Sequence, residues 1–235
     1  MAEATVQHIR SEPAGRLLTG AVIFDLDGTL VDSEPLSKIA WRRVLALHGH
    51  DVSDAEITAA QGLRFAESYA KFARALVLPP LDVVWSEYSR LLYASYDEEL
   101  VIFADAVTTA RQLQADGVPL ALATSSQRER LERTLASAGL AGLFTVTVAG
   151  DEVDRGKPAP DGYLAAAHLL GVDPADCVAV EDSQAGIDAA RAAGIPVLAV
   201  TRPGLLHPLT GADLNSDEVS LAKVTDLLGR SARAA

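Results

Sequence analysis

The chain has 235 residues, of which 49% are hydrophobic and only 5% aromatic, and its 20 basic against 32 acidic side chains leave a formal charge of −12. That length and apolar content support one large core built from Ala, Leu and Val, with room for an insertion. The acidic balance excludes the basic footprint of a nucleic-acid binder and a polybasic membrane contact.

In chain order, residues 1–17 are read as a loose leader, since residues 1–20 lack the apolar core of a signal peptide. The first apolar run, 21–26, reads as a buried strand. Residues 34–100 then show helical periodicity without strands, through Leu36, Ala40 and Val44, then Phe65, Tyr69 and Phe72, then Val84, Tyr88 and Leu92. Trp41 and Trp85 fall at helical spacing in this block and are read as its core. Strands at 118–123, 145–149, 177–181 and 197–200 follow, alternating with Ala- and Leu-rich helices near 106–116, 127–138, 160–170 and 184–193. Gly117, Gly139, Gly171 and Gly194 each follow a helical stretch, as C-terminal caps do. The alternation predicts an α/β fold, a Rossmann-like parallel sheet with helices on both faces. The predicted division is a core of 18–33 and 101–235 with a small helical unit, 34–100, inserted in it. The single cysteine, Cys177, excludes an intrachain disulfide and suits a reducing, cytoplasmic location. No stretch reaches the ~18 apolar residues of a membrane span.

Asp25 and Asp27 close the first strand two residues apart, and residues i and i+2 of a strand share a face. Gly28 then permits a sharp turn. Carboxylates crowded at a strand end require a cation or a proton between them. The hard, oxygen-seeking choice is Mg²⁺; the plain alternative is a polar turn after a buried strand. The whole string IFDLDGTLVDSEP, residues 23–35, resembles the first motif of the haloacid dehalogenase-like superfamily. Three further motifs of that family follow in order. Thr124 ends the apolar run 118–123, Lys157 stands in GDEVDRGKPAPDGY, and Glu181 and Asp182 stand in CVAVEDSQAGIDAARAAG.

The resemblance implies a Mg²⁺-dependent phosphotransferase working through a phosphoaspartate, with the helical insert as a cap over the site. It makes Asp25 the nucleophile and Asp27 the general acid–base, whose backbone carbonyl also faces the metal. Thr124 and the N–H groups of Ser125 and Ser126 would bind the phosphoryl group, and Lys157 would neutralise it together with Asp25. Asp182 and Glu181 would complete the metal site. Each has a plainer reading: Thr124 or Ser125 capping the next helix, the acidic pair capping the helix from Gln184. The cap loop Gln61, Gly62, Leu63 and Arg64 is similar to one that faces the site in sugar-phosphate phosphatases, so Arg64 is a candidate substrate ligand, with Gln127 and Arg128 from the core side. The expected partner is a small phosphorylated metabolite, a sugar phosphate or a nucleoside-like 5′-phosphate such as pseudouridine 5′-phosphate. No nucleic acid or membrane is expected, and the chain is expected to be a monomer. One alternative is a mutase of the β-phosphoglucomutase type, but such mutases carry a cap histidine near the position of Ser37. The other is a non-catalytic ligand binder on the same fold, which need not keep both aspartates.

Overall fold

The computed structural model describes residues 20–60, 62–202 and 208–234. The expected leader and Gln61 lie outside them. The elements in order are β1 (Ala21–Phe24), β2 (Val31–Asp32), α1 (Glu34–Leu47), α2 (Asp54–Thr58), α3 (Phe65–Ala73), α4 (Leu81–Glu99), β3 (Val101–Ile102), α5 (Ala104–Ala115), β4 (Leu120–Ala123), α6 (Arg128–Ser137), β5 (Val146–Val148), α7 (Asp161–Leu170), β6 (Cys177–Glu181), α8 (Gln184–Ala192), β7 (Val197–Val200), β8 (Leu214–Ser216) and α9 (Leu221–Ala234).

Among the described residues six strands form one parallel sheet in the order β5-β4-β1-β6-β7-β8. All residues of β1, β4, β6 and β7 are buried, as expected of parallel strands covered on both faces. The period of two divides β1 between two cores. Val22 and Phe24 face the cluster that holds Leu122, Leu131 and Leu227, while Ala21 and Ile23 face the cluster of Tyr163, Ala166 and Ile187. β1 lies between β4 and β6, so the winding reverses direction there. Ligands of open α/β sheets bind beyond the strand ends at such a switch point.

Helices α1 to α4 pack around a third cluster, the core of the cap. Trp41 is its centre, with ring contacts at 5.1 Å to Phe65, 5.0 Å to Phe72 and 4.9 Å to Tyr88. The chain enters and leaves the cap through β2 and β3, which pair antiparallel over two residues. Arg202 braces this neck from the core. It donates to Asp105 at 2.9 Å and to the Thr29 carbonyl at 3.0 Å, and it lies 3.9 Å over the Phe103 ring.

Several predicted details shift. β1 stops at Phe24 and β4 starts at Leu120. The short edge strand β8 was not predicted; its burial is partial and its three residues, LNS, lack an apolar run. Helix α6 starts at Arg128, and neither Thr124 nor Ser125 caps it. Its first N–H is taken by Asp151 at 2.9 Å. The cap of α8 is Ser183, whose hydroxyl accepts the Gly186 N–H at 3.0 Å, not the acidic pair before it.

Candidate active site

Asp25 follows β1 directly, and its N–H continues the ladder to the Val180 carbonyl at 3.0 Å. The residue is 6% exposed. Lys157, from the loop after β5, donates to Asp25 Oδ1 at 2.5 Å, to Glu181 Oε1 at 2.5 Å and to the Ala123 carbonyl at 3.0 Å. Three parallel strands thus converge on one ammonium. Burial pushes the Asp25 carboxyl up to about 8; Lys157 opposes the rise and Glu181 adds to it. Burial works to lower the Lys157 pKa, but Asp25 and Glu181 outweigh it and hold it above its ordinary value.

Carboxylate oxygens of Asp25, Glu181 and Asp182 lie within 4.8 Å of one another. Burial, then Asp25 and Glu181, raise the Asp182 carboxyl well above the ordinary range. Packed like this, the acids repel unless a cation or protons join them. A donor set of oxygens alone suits Mg²⁺. Glu181 differs from its neighbours. It is fully buried, its Oε1 accepts from Lys157 and from Tyr163 OH at 2.8 Å, and its Oε2 accepts the Ser183 hydroxyl and two backbone N–H groups. The sequence leaves open whether Glu181 meets the metal directly or through water. Its oxygens are already filled, so its evident work is to hold Lys157 and the turn into α8. Gly28 explains how Asp182 comes so close. Its φ is +90°, and a Cβ there would collide with the Asp182 carboxylate.

Asp27 is outside that cluster. Its Oδ1 accepts from the Ser33 hydroxyl and from Arg130 Nη2 at 2.8 Å, and its Oδ2 from the Ser126 hydroxyl at 2.7 Å. Burial works to raise its pKa, yet Arg130 and the two serine bonds leave it below the usual carboxylate value. Thr124 sits at the end of β4, with its hydroxyl accepting the Ser126 N–H at 3.1 Å, which leaves the hydroxyl proton to donate. The plain capping role is thereby replaced by a turn that closes on Ser126.

A pocket of about 90 Å³ opens over these groups. Asp25, Asp27, Thr124, Ser125, Ser126, Lys157 and Asp182 form its floor, and Ser37, Trp41, Leu63, Phe65, Trp85 and Tyr88 its cap wall. Trp41 and Trp85, read from sequence as core alone, both line it. Trp85 also donates to Glu129 at 3.0 Å across the cap–core joint. Gln127 is among the lining residues. Arg64 and Arg128 are not. Arg64 is held by Glu67 at 2.7 Å and reaches the Asp154 carbonyl at 3.4 Å, lying against Gly156 where no side chain blocks it. Arg64 thus ties the cap to the loop that carries Lys157. Arg128 is bound by Glu152 and Thr147 on the far side. The residue that sequence reasoning missed is Arg130. It stands in the first turn of α6, one of several arginines in that helix, and nothing in the local sequence separates it from its exposed neighbour Arg133.

The sequence matches the family model described as haloacid dehalogenase-like hydrolase over residues 19–194. It is 33% identical over 192 residues to the validoxylamine A 7′-phosphate phosphatase of Streptomyces hygroscopicus subsp. limoneus, covering 82% of this chain and 90% of that one. It is 36% identical over 183 residues to a fructose-1-phosphate phosphatase of Escherichia coli, covering 76% and 95%. The fold is also that of the β-phosphoglucomutase of Clostridium difficile, with a TM-score of 0.80 at 22% identity, covering 92% of this chain and 99% of that structure.

Proposed function

This chain belongs to the haloacid dehalogenase-like hydrolases, phosphatases of phosphorylated sugars or related metabolites, and we propose that it cleaves a sugar-type primary phosphate monoester with Mg²⁺ through a phosphorylated Asp25. The observation that carries the reading is the buried Asp25 at the switch point, with Lys157 at 2.5 Å on one oxygen and Asp182 beside it. Asp25 and Asp182 would hold Mg²⁺, together with the backbone carbonyl of Asp27. Bound there, the ion supplies charge neutralisation for the transferring phosphoryl group.

In the first step a free Asp25 oxygen attacks phosphorus and the P–O bond to the leaving group breaks; Arg130 and the two serines favour the ionised form of Asp27, so Asp27 takes up a proton as the anionic ester binds and passes it to the departing oxygen. In the second, Asp27 takes a proton from water, whose oxygen attacks the phosphoaspartate and releases phosphate and Asp25. Lys157 holds Asp25 and balances the phosphoryl charge throughout. Thr124 has a hydroxyl proton for one phosphoryl oxygen.

The cap wall supports a monophosphate. The two cations among the described lining residues, Lys157 and Arg130, are each already paired with a carboxylate, while Leu63, Phe65 and Trp85 offer apolar faces for an uncharged leaving group. The mutase reading has less support. Ser37 bonds Tyr88 OH at 2.8 Å, and a serine lacks the imidazole that would carry a proton for a sugar hydroxyl.

Phosphate release across a panel of sugar and nucleoside monophosphates, with Mg²⁺ and with EDTA, tests the proposal. Mg²⁺-dependent release peaking on sugar-type primary esters is expected. Preference for phosphoserine peptides or pyrophosphate would overturn the substrate class. Conversion of β-glucose 1-phosphate to the 6-phosphate would establish the mutase, and silence throughout from folded protein would favour a binder.

A further inference from the structure

We propose that Arg130 is the positioning residue of Asp27, setting which of its oxygens handles the proton, and that Tyr88 fixes Arg130 from the cap. The inference rests on the acid–base reading of Asp27 given above.

Arg130 stands on α6, in the core, with a side chain only 15% exposed. Its Nη2 donates to Asp27 Oδ1 at 2.8 Å and to the Ser33 hydroxyl at 3.1 Å. Its Nη1 donates to Tyr88 OH at 3.3 Å, and that hydroxyl bonds Ser37 at 2.8 Å. A rigid, planar fork therefore spans from the reacting carboxylate to two cap helices. Asp27 Oδ1, with Arg130 and Ser33 upon it, has both lone pairs used. Oδ2 accepts from Ser126 and keeps a lone pair, so Oδ2 is the oxygen left for proton transfer. A half-turn of the carboxylate only exchanges equivalent oxygens, so the position beside Ser126 stays the open one as long as Arg130 and Ser33 hold the other.

The contact is not needed to dock the cap. That joint has its own ties, in Arg133 to Asp97 at 2.9 Å, Ser137 to Asp97 at 2.9 Å and Trp85 to Glu129 at 3.0 Å. Arg130 also leaves its Nε–H buried without a partner among the described residues.

The test compares kcat/KM for p-nitrophenyl phosphate and phenyl phosphate, because that ratio reports the step in which the leaving group departs. p-Nitrophenolate leaves without a proton, whereas phenolate needs one. Asp27→Asn, Arg130→Leu, Arg130→Lys and Tyr88→Phe are measured together with the parent enzyme. General acid catalysis contributes roughly 10²–10⁴-fold. Arg130→Leu is therefore expected to lose about tenfold more on phenyl phosphate than on the nitrophenyl ester. Arg130→Lys should recover part of that selectivity, and Tyr88→Phe should shift the same way by less. Equal losses on both esters in Arg130→Leu, beside a selective loss in Asp27→Asn, would overturn the role of Arg130 and leave that of Asp27 standing. Equal losses in Asp27→Asn itself would remove the acid–base assignment and this proposal with it. Should Arg130→Leu fail to fold, parental ester selectivity in both Arg130→Lys and Tyr88→Phe overturns the proposal.

Discussion

The chemistry of this site turns on how much charge one buried carboxyl must carry. Asp25 is pushed up to about 8 by burial. A carboxyl whose folded pKa exceeds its unfolded value of 3.8 contributes stability below 3.8 and loses it as pH rises toward about 8. The metal-free protein should therefore weaken across that window, and a cation between Asp25 and Asp182 should restore what is lost. At pH 5 the same cation must first displace a proton. Mg²⁺ is thus expected to raise the melting temperature more at pH 8 than at pH 5, as thermal melts with and without the ion at each pH would read. An equal rise at both would detach Asp25 from the metal. Asp25, Thr124, Lys157 and Asp182 were legible in sequence because each closes a strand or sits in a distinctive loop, so their meeting follows from parallel topology. Arg130 and Arg202 were not. Their partners Asp27 and Thr29 lie 103 and 173 positions away along the chain, and no local pattern marks a surface-like arginine whose tip will be buried by a distant element.

At the scale of elements, the floor of the pocket belongs to core loops and its wall to cap helices, so the two should respond separately to damage. Phe72 is 5% exposed, packs at 5.0 Å on Trp41 and does not line the pocket. Phe72→Ala should cost about 3–5 kcal/mol, as deletion of a buried aromatic does, and lower the melting temperature. It should reduce turnover of the preferred sugar phosphate more than that of p-nitrophenyl phosphate, which asks less of the cap wall. A parallel fall in both would show the wall to be indispensable to the floor. The helices were easy to foresee because their apolar faces repeat over several turns. Their ends were harder: Asp151 and Ser183 supply caps from outside or beside the segments that periodicity marks. The direction of Arg64 was hidden for a related reason, since a loop motif fixes where a residue stands but not which of two neighbouring surfaces its long side chain will choose.

For the molecule as a whole, the sequence pattern conveyed the α/β sheet and the helical insert, and it missed the edge strand β8, whose LNS has neither apolar continuity nor full burial. Composition speaks to encounter rather than to fold. A charge of −12 repels a phosphate monoester at long range, and only the few cations at the pocket oppose this. Salt screens such repulsion over about 10 Å at 0.1 M. At fixed free Mg²⁺, kcat/KM for an anionic ester should therefore rise as NaCl is increased from low ionic strength, measured by initial rates. A steady fall would mean that the local positive field of Lys157 and its neighbours governs capture.

The neck has a further consequence. β2 and β3 run side by side over two residues, so the interrupted core presents a pair of adjacent backbone ends. Any lid whose own ends lie one strand spacing apart fits that socket, provided it brings a partner for Arg130 where Tyr88 now stands. Heredity can then treat the recognition of a metabolite and the breaking of its phosphate bond as two separable traits, exchanged at a seam two residues wide.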